Sequence, residues 1–238
     1  MEGDKTDKMN VLIACEESQA VCKAFRELGH EAYSCDIQEC SGGHPEWHIQ
    51  GDVLPLINGD CSFTTVGGGT HTIVGKWDLL IAFPPCTYLT TAGAVRLYTQ
   101  GHIIKDFLRL QKGKEAAKFF MAFLNADCDK IAIENPTPMS VFNLPKYSQV
   151  IQPYEYGHPY TKRTCLWLKN LPKLKPTEIV EPTGYWVGGS VLSRQNPNMK
   201  SGLRDQKKRS KTFPGIAKAM AEQWGSQSEI EPYQLSLF

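Results

Sequence analysis

The chain has 238 residues, 41% of them apolar and 21% charged, and a net charge of +1. That length suits one α/β domain with a full hydrophobic core, and the near-neutral charge means that only a local basic patch can speak for a nucleic-acid partner. No run approaches the ~18 apolar residues of a membrane span, and the opening MEGDKTDK is too polar for a signal peptide, so a cytoplasmic protein with its eight cysteines reduced is expected.

Residues 10–15 (NVLIAC) form a short apolar run suited to a buried parallel strand. Val21, Phe25 and Leu28 then recur at helical spacing, and Gly29 ends the helix. Residues 31–35 (EAYSC) predict a second strand closed by Asp36, and residues 51–53 the end of a third. This strand–helix–strand opening predicts a doubly wound, Rossmann-like α/β sheet. Residues 54–76 interrupt it with two β-like halves around Gly67, Gly68 and Gly69, a hairpin insertion. Residues 77–83 (WDLLIAF) predict a central strand running into Pro84-Pro85-Cys86. A loop over 87–103, a long amphipathic helix over 106–124 and a strand at 130–134 (KIAIE), stopped by Asn135-Pro136, follow. A later strand at 164–168 and a helix at 214–224, with Pro near its start, complete the pattern. The expected division is a core over 1–170, a small irregular region over 171–211, a helix returning to the core over 212–225, and a tail over 226–238.

Ligands of open parallel sheets bind beyond the carboxyl ends of the strands. Asp36 stands where an acid commonly accepts hydrogen bonds from ribose hydroxyls, and Asp52 suits an adenine amino group; each alone also reads as a loop turn or cap. Cys86 follows two prolines that force a rigid, non-helical turn at a strand end. A lone cysteine is more often a small buried hydrophobe, but here a glycine-containing loop and the carboxylate of Glu134, at another strand end, accompany it. A thiolate adding at carbon 6 of cytosine makes carbon 5 nucleophilic. A carboxyl group at N3 stabilises the developing charge, a role that needs Glu134 to carry a proton. The base must leave the duplex to be reached.

With these residues the chain resembles the DNA cytosine-5 methyltransferase family, in its compact phage and prophage form, over about residues 10–225. The family's Pro-Pro-Cys is matched by Pro84, Pro85 and Cys86, and its Glu-Asn-Val by Glu134-Asn135 followed by Pro136. Of its Gln-x-Arg-x-Arg motif, Arg163 fits the second arginine and Thr161 takes the place of the first. Residues 212–225 resemble its final helix. The resemblance implies S-adenosylmethionine as cofactor, Cys86, Glu134 and Arg163 as catalytic residues, and a cofactor site of Cys15, Glu16, Ser18, Asp36, Ile37, Asp52, Val53 and Pro84. The family's Phe-x-Gly-x-Gly-Gly loop is replaced by residues 14–19 (ACEESQ), without glycine. There Glu16 or Glu17 would meet the cofactor's ammonium group and Ser18 would cap the helix. The missing loop is also the best support for a catalytically inactive DNA- or clamp-binding scaffold.

Several other features carry two readings. Cys35, Cys40, His44 and His48 match no common zinc-finger spacing, and no metal is expected. Lys200, Arg204, Lys207, Lys208, Arg209 and Lys211 form either a solvated face or a set of phosphate contacts. Arg194, Gln195 and Asn196 are candidates for base-edge contacts. Trp47 covers an adenine ring or fills a gap between strands, and Trp186 stacks on a base or packs. The final residues, Gln234, Leu235, Ser236, Leu237 and Phe238, either fold back or serve as a docking peptide. They resemble the peptide by which polymerases and repair proteins dock on the bacterial sliding clamp, which implies a bacterial or phage setting and local enrichment at newly copied DNA.

Overall fold

The computed structural model describes residues 8–186 and 205–226. Arg194, Gln195, Asn196, Lys200, Arg204 and the tail residues Gln234, Leu235, Leu237 and Phe238 lie outside them, as does the side chain of Lys207. The first strand, β1 (Asn10–Ala14), leads to α1 (Ala20–Glu27), β2 (Glu31–Asp36) and β3 (His48–Gln50). A hairpin of β4 (Cys61–Thr64) and β5 (Thr70–Ile73) precedes β6 (Leu79–Ala82), the short α2 (Ala94–Leu97) and the long α3 (Phe107–Leu124). The rest comprises β7 (Ile131–Asn135), β8 (Gln149–Ile151), β9 (Tyr160–Thr161), β10 (Thr164–Lys169), β11 (Gly184–Tyr185), α4 (Gln206–Ser210) and α5 (Pro214–Gly225).

Seven strands make one sheet in the order β3-β2-β1-β6-β7-β10-β8. All run parallel except β10, which is antiparallel to both its neighbours. This is the expected doubly wound α/β arrangement, with an antiparallel strand inserted near one side. Strand alternation assigns each side chain to a layer. Leu12, Ala14, Leu80, Ala82, Ile131, Ile133, Cys165 and Trp167 point into one core, closed by Phe120 and Phe123 of α3 and Phe63 of the hairpin. Val11, Ile13, Leu79, Ile81, Ala132 and Leu166 point into the other, closed by Phe25 of α1 and Ile216, Met220 and Trp224 of α5. Burying each such large side chain stabilises the fold by about 1.5–3 kcal/mol.

Local chemistry sets the element ends. Asp106 caps α3 by accepting from the Arg109 amide at 2.8 Å, and Pro214 opens α5, where its missing N–H costs nothing. At Gly215 an added Cβ would lie 2.0 Å from the Tyr156 carbonyl oxygen, so only glycine lets α5 approach the segment before β9 this closely. The third strand lies a few residues earlier than the sequence suggests, which leaves Asp52 in the turn after it. The expected loop over 87–103 holds a 3-10 turn at Thr91–Gly93 and the four-residue α2. No described helix is long and apolar enough to cross a membrane.

Candidate active site at the carboxyl edge of the sheet

The parallel register aligns Ala14 with Cys35 and with Ala82, and Ala82 with Ile133. Cys15, Asp36, Pro84 and Glu134 therefore emerge at one edge, with Asp52 two residues past the end of β3. β10 starts at that edge because it runs the other way, Cys165 facing Asn135. Its preceding residues, Lys162 and Arg163, join the same rim.

Cys86 sits half-buried on the turn after β6, next to buried Pro84. Buried Asn135 donates its side-chain N–H to the Pro84 carbonyl at 2.8 Å and so ties the ends of β6 and β7 together. Glu134 alternates with Asn135 and faces the α1/α5 side. Its Oε1 is buried and has no hydrogen-bond partner among the described residues. Burial pushes the Glu134 carboxyl up, and the nearby Lys162 charge opposes this. Burial also pushes the Cys86 thiol up, the Glu134 charge adds to it, and Lys162 and Arg209 pull it down. Cys86, Glu134, Lys162 and Arg209 thus form one electrostatic cluster. A cavity of about 10 Å³, room for about one water, opens beside it and is lined by Phe83, Glu134, Lys162, Thr164, Thr212 and Phe213 among others.

A thiol and a carboxyl group thus stand at the same edge of the sheet, near enough for the Glu134 charge to raise the thiol. In structure the chain is similar to the Entamoeba histolytica methyltransferase EhMeth, at 12% identity and a TM-score of 0.39. The match covers 73% of this chain and spans 58% of the length of that protein. No protein-family model matches the chain, and no curated protein matches it. At this level of likeness, function has to come from the site itself.

Alternation separates Arg163 from that cluster. Odd-numbered residues of β10 face the α3 layer, and Arg163 follows them. Its Nε donates to Thr137 Oγ1 at 3.1 Å and its Nη2 to the Tyr147 hydroxyl at 2.8 Å, and its side chain is exposed. The cation on the Glu134 side is Lys162, which the sequence motif passes over.

At the other end of the edge, Asp36 and Asp52 both lie close enough to raise the Cys15 thiol, which burial raises most. Asp36 Oδ1 accepts from the Gln38 amide at 2.9 Å, and Asp52 Oδ1 from the Leu54 amide at 3.0 Å, so each also orders its own turn. Ile37 is exposed beside Asp36, while Val53 is buried. The loop of 15–19 reaches α1 without glycine by placing Cys15 and Gln19 at positive φ, 60° and 56°, a conformation that costs a non-glycine residue energy.

The expected roles within this loop change. Ser18 makes no cap hydrogen bond, and Gln19 holds the N-cap position. Glu16 does the capping: its two oxygens accept from the Val21 and Cys22 amides at 2.7 and 3.2 Å. It is therefore spent on the helix amides rather than free for an ammonium group. Glu17, also buried, has an Oε2 without a hydrogen-bond partner among the described residues. Burial pushes the Glu16 carboxyl from 4.5 up to about 7, against the two amide bonds that lower it. The folded state then binds the proton more tightly than the unfolded one, so its stability falls as pH rises from about 4.5 through about 7. A Glu16→Gln variant is expected to melt with less pH dependence across this window than the wild type. Equal slopes in calorimetry would reject this account.

Most of the remaining candidates have structural duties. Buried His48 bonds Ser34 Oγ and the Gln38 carbonyl, both at 2.9 Å, and His44 stacks on Trp47 at 3.9 Å. Among the described residues no group of three His, Cys, Asp or Glu side chains is placed to hold a metal. Trp186 packs against Phe213 and Tyr160. Of the basic cluster, Lys208 is exposed, Lys211 bonds Ser41 Oγ at 2.8 Å, and half-buried Arg209 lies near enough to lower the Cys86 thiol, its Nε without a partner among the described residues.

Proposed function

We propose that the chain is an S-adenosylmethionine-dependent DNA methyltransferase acting on carbon 5 of cytosine, with Cys86 as its nucleophile. The observation that carries this reading is the placement of Cys86 and Glu134 at the same edge of the sheet, with the buried Oε1 of Glu134 lacking a partner among the described residues. An unpartnered buried carboxyl oxygen is costly unless a ligand completes it, and N3 of an extruded cytosine is such a ligand.

The Cys86 thiolate forms a bond to carbon 6; the C5=C6 pair becomes a C4=C5 bond and the N3=C4 pair moves onto N3. Glu134, favoured in its protonated form by burial, donates at N3 and stabilises that charge. Bound S-adenosylmethionine supplies an electrophilic methyl group. Carbon 5 would take the methyl group as the sulfonium departs as a neutral thioether, and N3 returns its proton to Glu134; loss of the carbon 5 proton to a base then re-forms the C5=C6 bond and expels the Cys86 thiolate.

The residues at the edge fit the nucleoside end of this cofactor. Asp36 and Asp52 would accept its ribose and adenine hydrogen bonds, and exposed Ile37 would offer an apolar surface. At the amino-acid end Glu17 would meet the ammonium group. Since Glu16 fills the first amides of α1, the cofactor's carboxylate would take other partners. That filled helix end also favours a second reading, a DNA- or clamp-binding scaffold that has lost catalysis. In either reading Gln234, Leu235, Leu237 and Phe238 dock the chain on a sliding clamp.

Two measurements separate these. Tritiated S-adenosylmethionine and mixed-sequence duplex DNA should give labelled DNA, with the label on carbon 5 of cytosine after digestion. Unlabelled DNA together with no calorimetric heat from the cofactor at millimolar concentration would leave the scaffold standing and remove the enzyme.

A further inference from the structure

We propose that neutral His158 is a positioning residue for the Glu134 site: by accepting the first amide of α5 it holds the start of that helix, and with it the Thr212–Phe213 wall of the cavity beside Glu134, and it releases that wall in acid. This rests on the reading above. It makes the site sensitive to acid through a residue outside the cavity lining.

The start of α5 lacks a cap of its own. Phe213 holds the N-cap position and makes no side-chain hydrogen bond, and Pro214 has no N–H. The next amide, that of Gly215, donates to His158 Nε2 at 3.0 Å. His158 thus supplies, from 57 residues away, the acceptor that Phe213 cannot. Nε2 needs its lone pair for this bond, so the ring is neutral and carries its proton on Nδ1. The approach is tight: an added Cβ at Gly215 would also lie 3.0 Å from Nε2. The His158 ring packs on Phe213 with centroids 5.0 Å apart, and Phe213 packs on Trp186 at 4.7 Å. Phe213, Thr212 and Ile216 line the cavity together with Glu134 and Lys162. One hydrogen bond therefore fixes a wall beside the proposed N3 donor.

A proton turns this contact from attraction to repulsion. Charged His158 has an N–H on both ring nitrogens, so Nε2 would set a donor against the Gly215 amide and a positive charge against the positive end of α5. Burial already favours the neutral ring and holds its pKa below 6.5, while the charge of Glu178, on the segment after β10, opposes this. The other titratable or charged groups around it are few. Residues 212–217 carry no charge. The Glu155 carboxylate is taken by the Gln152 amide at 2.6 Å. Burial pushes the Tyr156 hydroxyl up, so it stays neutral. Tyr160 donates its amide to the His158 carbonyl, and Lys162 lines the cavity. A histidine with a lowered folded pKa adds stability that is complete above 6.5 and is lost as pH falls below it.

His158→Gln keeps an acceptor near the place of Nε2 and takes no proton in this range; His158→Ala keeps none. The measurement is single-turnover transfer of labelled methyl from S-adenosylmethionine to duplex DNA, from about pH 5.5 to about pH 7.5. Between these limits wild-type transfer should fall at least about fivefold more than that of His158→Gln, the usual effect of losing one helix cap. At the alkaline end His158→Gln should match wild type, and His158→Ala should be about fivefold slower. Glu16, Glu134 and Cys86 titrate in all three proteins, so the comparison removes them. Should His158→Gln fail to fold, nitrogen NMR of the wild-type imidazole gives the same answer: Nε2 unprotonated at neutral pH, titrating below 6.5. A wild-type protein that transfers methyl groups with the same pH profile as His158→Gln, or a His158 ring that titrates at or above 6.5, overturns the proposal and leaves the catalytic reading in place. A wild-type protein that transfers nothing at any pH removes the catalytic reading, and the positioning role falls with it.

Discussion

A Cys86→Ser variant is expected to lose methyl transfer by about 10⁴-fold or more, with its melting curve and cofactor affinity unchanged. Among the described residues the half-buried thiol makes no hydrogen bond to another residue, so the loss belongs to chemistry. A serine hydroxyl in that place would be far harder to ionise than the thiol. Lys162 and Arg209 already work against burial and the Glu134 charge to make a thiolate accessible. The measurement is single-turnover transfer of labelled methyl to DNA. A second readout uses duplex carrying 5-fluorocytosine: fluorine cannot leave carbon 5 as a cation, so the wild-type protein stays bonded to the base and the variant does not. Residual transfer within about tenfold of wild type would remove Cys86 from the mechanism.

The second large effect concerns the groups that face the thiol. Glu134→Gln keeps a similar shape but has no proton to shift, and transfer should fall by about 10²–10³-fold. Lys162→Met removes the cation that favours the charged forms of both Cys86 and Glu134. Both groups then move further up, and the rate of Cys86 alkylation by iodoacetamide should rise with pH only at more alkaline values than in wild type. Arg163→Met should leave that profile in place, since Arg163 is held by Thr137 and Tyr147 on the other side of β10. A profile shifted by the Arg163 change and not by the Lys162 change would reverse the assignment.

This pair also shows what the sequence could and could not convey. The central strands are readable because short apolar runs end in polar residues or prolines, and those ends are where Asp36, Pro84, Cys86 and Glu134 stand. Motif spacing favours Arg163, but a strand turns neighbouring residues to opposite faces, so the residue beside Glu134 depends on the phase and direction of β10. Its antiparallel course depends on pairing with β7 and β8, and the three residues of β8 give too little pattern to see. Glu16 reads as a ligand because nothing local says that its oxygens will reach the Val21 and Cys22 amides, five and six residues on.

Gln19 has a wider effect than its one position suggests. Fully buried, it donates to the His44 carbonyl at 2.8 Å, accepts from the His44 amide at 3.0 Å and reaches Ser34 Oγ at 3.3 Å. The start of α1, the end of β2 and the segment that follows are thereby latched together. A ligand arriving at Asp36 finds its walls already set, so little ordering entropy remains to be lost on docking. Amide exchange around residues 34–44 should consequently be slow before any ligand is added and change little afterward.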